Sequence, residues 1–361
     1  MKNIQYLLAL HSIDGLGSVR LKRILDRFED PKLGWEADGK TLRELGIPQA
    51  SIDIFLETRK KLDPEKYLES IEKSGIKWMT FFDGNYPKLL KQIYDPPIVF
   101  YYKGEILSSD EKAIAVVGTR KMTGYGRLVT EEFTKGLVAF GLTIVSGLAQ
   151  GVDSEAHKTA LKEGGRTLAV LGGGLNRIFP PENTRLSEEI SSGNGAVLSE
   201  FPPDYPSTPG NFPARNRIIS GLSLAVLVTE AAEDSGSLIT ARLALEQGRD
   251  CYADPGPITS ALSKGPIGLI REGARPVMEA GEILEELGIT KISNAKSQIS
   301  NNLELSESEK VILQCLENES KQIDDICREL NLSAAQISGD LLKMEIAGLV
   351  RNLGGGTYTT H

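Results

Sequence analysis

Continuous apolar runs of strand length recur through the middle of the chain, at 113–118 (AIAVVG), 142–147 (LTIVSG), 167–173 (TLAVLGG), 196–199 (AVLS), 224–231 (LAVLVTEA) and 251–256 (CYADPG). Helical stretches separate most of them. Runs without polar alternation belong to strands covered on both faces, so this pattern predicts a parallel sheet with helices on either side. Two further runs, 76–82 and 98–102, bracket a short helix after Tyr86-Pro87 and extend the same sheet. Ligands of such folds sit outside the carboxyl ends of the strands. Here those ends are Gly118-Thr119-Arg120, Ser146-Gly147, Gly172-Gly173-Gly174 and Thr229-Glu230-Ala231.

The flanks follow other rhythms. Residues 1–65 read as short helices, and IDGLGS at 13–18 suggests a helix-hairpin-helix turn. There Gly15 and Gly17 either hold a phosphate on freed backbone amides or only turn the chain. A second pass around Gly46-Ile47-Pro48 lacks the second glycine. Residues 66–290 form the sheet domain, and 291–305, polar and aperiodic, read as a linker. In 306–361, helical spacing at 306–318, 323–330 and 333–346, the last capped by Ser333, precedes a hairpin around Gly354-Gly355-Gly356. That is the outline of a winged helix.

Composition narrows the chemistry. With 361 residues the chain can bury a large core, and its formal charge of −8 confines any nucleic-acid surface to a local basic patch. The three cysteines, Cys251, Cys315 and Cys327, form no CxxC pair, so neither a disulfide framework nor a structural zinc is expected. The N-terminus lacks a cleavage-site pattern and no run reaches membrane-spanning length, which points to the cytoplasm. The tail from residue 306 carries five Lys/Arg against nine Asp/Glu, and its third helix has a single lysine, Lys343. Such a winged helix is expected to contact protein rather than read the major groove.

The basic chemistry gathers at the strand ends. In NFPARNRIIS (211–220), Arg215 and Arg217 flank Asn216 and Phe212 offers a ring. Guanidinium forks grip phosphate and exposed rings stack on unpaired bases, although the same residues also suit a surface helix start with ion pairs. GTRKMTGYG (118–126) has Arg120 and Lys121 but not the spacing of a dinucleotide loop, and no Walker lysine motif is present. The glycines at 172–174 fit either a tight strand exit or close approach of a phosphate. Asp153 and His157 share a helix face at i, i+4, but without a nucleophile or metal set they read as a helix-start acid and a hydrogen-bonded orienting group. The acids of EAAEDSGS (230–237) are crowded into one loop and suit capping better than two-metal catalysis.

Taken in order, YPKLLKQIYDPPIVFYYKG, AVVGTR, TIVSGLAQGVDSEAH, AVLGGGLNRIFPPEN, SEFPP, NFPARNRIISGLS, TEAAEDSGSLITARLALEQGR and PGPITSALSKGPIGLIREGA resemble the DNA-processing protein A (DprA, or Smf) family. The resemblance implies an extended Rossmann-like α/β domain between a helical N-terminal domain of helix-hairpin-helix or SAM-like type and a C-terminal winged helix. It implies a homodimer that binds single-stranded DNA without hydrolysis and helps load RecA recombinase in natural transformation, with no cofactor or metal. The DNA pocket it implies is Gly118, Thr119, Arg120, Gly147, Asn211, Phe212, Arg215, Asn216 and Arg217, with Ser235, Gly236 and Thr240 beside it. Pro266 and Ile267 in SKGPIGLIREGA depart from the family's polar residues there. The rival reading is a Rossmann-like nucleotide or phosphoribosyl hydrolase with Glu230 or Asp153 as base. A third is an adaptor that binds recombinase through its acidic tail.

Overall fold

The apolar runs build the body of one nine-stranded sheet. The computed structural model describes residues 2–289, 306–316, 320–330, 332–346, 349–354 and 356–360. They belong to two compact units, Met1–Thr290 and Lys291–His361. The first begins with six helices, α1 (Ile4–His11), α2 (Ser18–Phe28), α3 (Pro31–Glu36), α4 (Gly39–Glu44), α5 (Gln49–Lys61) and α6 (Pro64–Lys73). Then follow β1 (Lys77–Thr80), α7 (Lys88–Lys91), β2 (Val99–Gly104), β3 (Ala113–Val117), α8 (Gly124–Ala139), β4 (Thr143–Ser146), α9 (Val152–Lys162) and β5 (Thr167–Leu171). The unit continues with α10 (Thr184–Ser192), β6 (Gly195–Ser199), α11 (Asn211–Gly221), β7 (Ala225–Val228), α12 (Ser237–Glu246), β8 (Asp250–Ala253), α13 (Lys264–Arg271), β9 (Arg275–Pro276) and α14 (Ala280–Glu286).

In the order β1-β2-β6-β5-β4-β3-β7-β8-β9, neighbours from β6 to β9 pair in parallel, whereas β2 is antiparallel to both β6 and β1. From β3 the chain winds through β4 and β5 to β6, then returns to β7 on the other side of β3. That reversal is a topological switch point, and it opens a crevice at the carboxyl ends. The two-residue β9, with its proline, has no apolar run to mark it and escapes the sequence reading.

Alternate residues of each strand face opposite layers. Ile114, Val116 and Ile144 meet α8, α9 and α14 through Phe133, Leu137, Ala156 and Ile283. Ala115, Val117 and Val145 meet α11, α12 and α13 through Ile218, Leu222, Leu238 and Leu269. The N-terminal helices continue the first layer: Leu7, Leu10, Phe55 and Ile71 share a core with Tyr101, Ala169 and Leu171 of the sheet. Helix α6, beyond residue 65, belongs to the same cluster. Gly15, at φ +81°, makes the turn between α1 and α2, and Arg20 donates to its carbonyl at 2.6 Å.

Two buried histidines tie the layers together. His11 Nδ1 lies 3.2 Å from the Tyr101 hydroxyl, and His157 Nδ1 lies 2.6 Å from Thr167 Oγ1. Burial lowers the His11 pKa to about 4, against the pull of Glu200; burial and the Arg215 charge lower that of His157 to about 3. The unfolded chain takes up these protons near pH 6.5 and the folded chain does not, so stability present above pH 6.5 is lost as the pH falls toward 4. Urea unfolding at pH 7 and pH 5 should show a loss of up to about 1.4 kcal/mol per pH unit for each histidine. His11→Gln should remove about half of that slope; an unchanged slope would contradict the assignment.

In the second unit, α15 (Glu307–Leu316), α16 (Ile323–Leu330) and α17 (Ala334–Ile346) pack around Ile312, Leu316, Ile326, Ile337 and Leu341. A three-stranded sheet, β10 (Lys321–Gln322), β12 (Thr357–Thr360) and β11 (Val350–Gly354) in that order, completes the winged helix. Ser333 caps α17, its Oγ accepting from Gln336 N at 3.3 Å. The expected linker at 291–305 lies outside the described residues. No helix among the described residues is long and apolar enough to cross a membrane.

Candidate nucleic-acid interface

Loops after β3, β4, β5 and β7 surround a cleft of about 810 Å³ at the switch point, with a side chamber of about 190 Å³. Gly118, Thr119, Arg120 and Lys121 form one wall, Ser235, Gly236, Ser237 and Thr240 the opposite one, and Phe212, Arg215 and Asn216 of α11 the floor. The chamber adds Gly147, Gln150 and Gly172, and Phe179 borders both.

Glycine is required where the backbones converge. A Cβ on Gly118 would lie 2.7 Å from the Glu230 carbonyl oxygen, and one on Gly151 would lie 2.3 Å from that of Thr119. Thr119 N donates to the Glu230 carbonyl at 2.6 Å, and Thr119 Oγ1 accepts from Lys121 N at 3.2 Å. This wall is therefore set before any ligand arrives. Glu230 is spent in it, its carboxylate accepting from Thr123 N at 2.9 Å and Thr123 Oγ1 at 2.7 Å at the start of α8.

The two arginines of NFPARNR diverge. Arg215 turns under the sheet ends, where Nη1 donates to Gly147 O at 2.5 Å and to Val170 O. Only 5% of Arg215 is exposed, and its Nε has no hydrogen-bond partner among the described residues. Burial lowers its pKa to about 10; the Asp153 charge opposes that shift and Arg120 adds to it. Asp153 accepts from the amides of Gly147 at 3.1 Å and Ala149 at 3.4 Å. Burial raises its pKa, countered by Arg215 and those amides. Asp153 thus braces a buried cation, consistent with its reading as a helix-start acid, and His157 is the hydrogen-bonded group expected.

Arg217, expected in the DNA pocket, points elsewhere. Its guanidinium meets Glu200 at 2.6 and 2.8 Å and Asp95 at 2.9 Å. Burial opposes its charge, but these carboxylates prevail and its pKa is raised. With Gly15 and Gly17 it lines a separate 420 Å³ pocket that also holds Asp14, Asp95 and Glu200. Arg20 also lines this pocket, so its three carboxylates stand beside two guanidinium groups. Ser18 at the start of α2 donates to Glu200 at 2.7 Å, so this network joins α11 to the N-terminal helices.

Arg120 and Lys121 are exposed cations of the cleft, and the Arg120 guanidinium lies 5.3 Å from the Phe212 ring centroid. Phe212 sits over Gly172, where a Cβ would lie 2.8 Å from the ring, and Phe179 lies 5.8 Å away at a tilt of 38°. The glycines at 172–174 therefore serve packing. Cβ atoms on Gly173 and Gly174 would lie 2.2 Å from Ser207 Oγ and from the Pro203 carbonyl oxygen, respectively. Asn211 bonds within its own loop, accepting from Thr208 Oγ1 at 3.0 Å and donating to Pro206 O at 3.1 Å. Asn216 donates to Gly236 O at 3.2 Å and so joins the floor to the opposite wall. Sequence reasoning assigned no role to Phe179 or Gln150; the aromatic residue soon after a glycine-rich strand exit was the available signal for the first.

A largely parallel sheet with a cationic, aromatic cleft at its switch point defines a Rossmann-like α/β protein. The chain matches the family described as "DNA recombination-mediator protein A" over residues 77–288 and the "DprA winged helix domain" over 300–356. It belongs to the DNA recombination-mediator protein A family. Protein Smf of Synechocystis is 35% identical over 98% of both chains. The DNA processing protein DprA of Bacillus subtilis is 44% identical over 62% of this chain and 75% of its own. The structure of DNA processing protein A from Streptococcus pneumoniae superposes with a TM-score of 0.70 at 36% identity, covering 79% of this chain and 99% of the other. That from Helicobacter pylori, described for its single-stranded DNA binding mode, gives 0.52 at 30% identity, covering 58% and 95%.

Proposed function

We propose that this chain is a cytoplasmic single-stranded DNA-binding recombination mediator. It acts as a homodimer that protects incoming strands and helps load RecA recombinase during DNA uptake, without catalytic turnover. The observation that carries this reading is the exposed Arg120 laid on the Phe212 ring beside the buried Arg215. A phosphate meets the cations while an unpaired base meets the aromatic pair Phe212 and Phe179. Gly118, Thr119, Gly147, Asn216, Ser235, Gly236 and Thr240 frame the strand, and Asn211 fixes the loop leading into α11. The kinship with the Helicobacter pylori protein supports the choice of a single strand. The hydrolase reading needs Asp153 or Glu230 as a base, and both carboxylates are held by protein donors. The winged helix, formally −4 over 306–361, serves protein contact in this reading.

Titration of single- and double-stranded oligonucleotides across salt tests the proposal. Single strands should bind more tightly, with log affinity falling by about 0.7 per log salt for each phosphate contact. Equal affinity for both forms, or turnover of free nucleotides, would refute it.

A further inference from the structure

We propose a second single-strand contact on the surface formed by α2, α7 and the turn after β1, separate from the cleft and resting on the reading of the cleft as a single-strand site. Lys22 of α2 and Lys91 of α7 approach the same ring, with Nζ atoms 5.9 and 4.7 Å from the Phe81 centroid. No carboxylate among the described residues is ion-paired to either ammonium. Asp83, the nearest acid in the turn, accepts from Thr80 N at 2.7 Å. Beside Phe81, edge-on at 5.7 Å, stands Phe82, 49% exposed. Tyr94, three residues past Lys91, is fully exposed.

Helix α2 has four cations, Arg20, Lys22, Arg23 and Arg27, against Asp26. Lys22, Arg23 and Arg27 are exposed. In a chain of net −8 this is a local concentration of positive charge. Two ammonium groups around one ring repel each other, and the phosphates of a bound strand, one for each lysine, relieve that repulsion. An exposed phenylalanine next to them supplies the stacking face that single-strand surfaces combine with cations.

Strand direction aligns this surface with the cleft. β1 and β6 are both antiparallel to β2, so β1 runs the same way as β6 and its parallel neighbours. Phe81 and Phe82 therefore leave the sheet from the edge that carries the cleft. From β1 to β4 is four strand spacings, roughly 20 Å, a span bridged by an extended strand of a few nucleotides. Between the two sites Asp95 and Glu200 are neutralised by Arg217, Asp14 accepts from Tyr205, and Asp204 accepts from Asn176.

Anisotropy titrations with oligothymidylates of about 6 and about 20 nucleotides, on the full chain, separate the sites. Lys22→Ala with Lys91→Ala should leave the short ligand unaffected and reduce the salt slope for the long one by about 1.4. Phe82→Ala should weaken the long ligand about tenfold, within the range for one lost base stack, without changing the slope. Absence of short-ligand binding by the unmodified protein would sink the cleft reading itself. Short-ligand binding together with an unchanged slope and affinity for the long ligand in the variants would overturn only the second contact. So would unchanged DNA binding with loss of a polyglutamate probe, which would assign the surface to an acidic protein segment.

Discussion

Arg215→Ala should lower the unfolding free energy by about 2–5 kcal/mol, because it strips two buried carbonyls of a charged donor and removes the positive charge that offsets Asp153. Arg215 Nη1 serves two backbone carbonyls, Gly147 O and Val170 O, and its charge offsets that of the buried Asp153. Without it both carbonyls lose a charged donor and Asp153 becomes harder to ionise. Burial already holds the native Asp153 pKa above its ordinary value, and the variant should raise it further. A raised native pKa means that the folded state retains a proton the unfolded state has released. The variant's deficit should therefore grow as the pH rises through the ordinary carboxylate range. Adding Asp153→Asn should restore part of the lost stability. Urea unfolding of the single and double variants measures both effects, and a deficit under about 1 kcal/mol would show that Arg215 is not a structural brace.

Loss of single-strand binding without loss of stability is the expectation for Arg120→Ala combined with Phe212→Ala. Arg120 is exposed and Phe212 half-buried, so neither holds the core. Stacking on an aromatic residue contributes about 1–3 kcal/mol per base, and one phosphate contact about 0.7 of salt slope. The double variant should bind a short oligonucleotide about 10- to 100-fold more weakly at moderate salt, the range corresponding to that loss. Its thermal midpoint should stay near that of the unmodified protein. Unaltered affinity would remove Arg120 and Phe212 from the interface.

The sheet was legible because its strands are buried on both faces and therefore written as unbroken apolar runs. The cleft was legible because glycines and cations interrupt the sequence where those runs end. Side-chain direction within NFPARNR was less accessible. Arg215 and Arg217 are two residues apart, about 200° around a helix, so one must face the sheet ends when the other faces the N-terminal helices. Their shared proximity to Asn216 in the sequence concealed this divergence. The carboxylates that claim Arg217 come from Asp95 and Glu200, in two other motifs, and no local pattern links the three. Likewise, the triple glycine at 172–174 resembles a phosphate loop. Only the fold shows that Phe212, Ser207 and Pro203 occupy the space a side chain would need.

The two-residue strand β9 also bears on how copies of the chain can associate. It is the last strand on its side of the sheet. Pro276 has no N–H to offer another strand, and Arg275 is engaged by Asp250 and Glu286. Strand addition is thus disfavoured at this border by the shortness of β9 and its proline. Two copies meeting on this flank are expected to join through interlocking side chains, whose specificity can be altered one residue at a time.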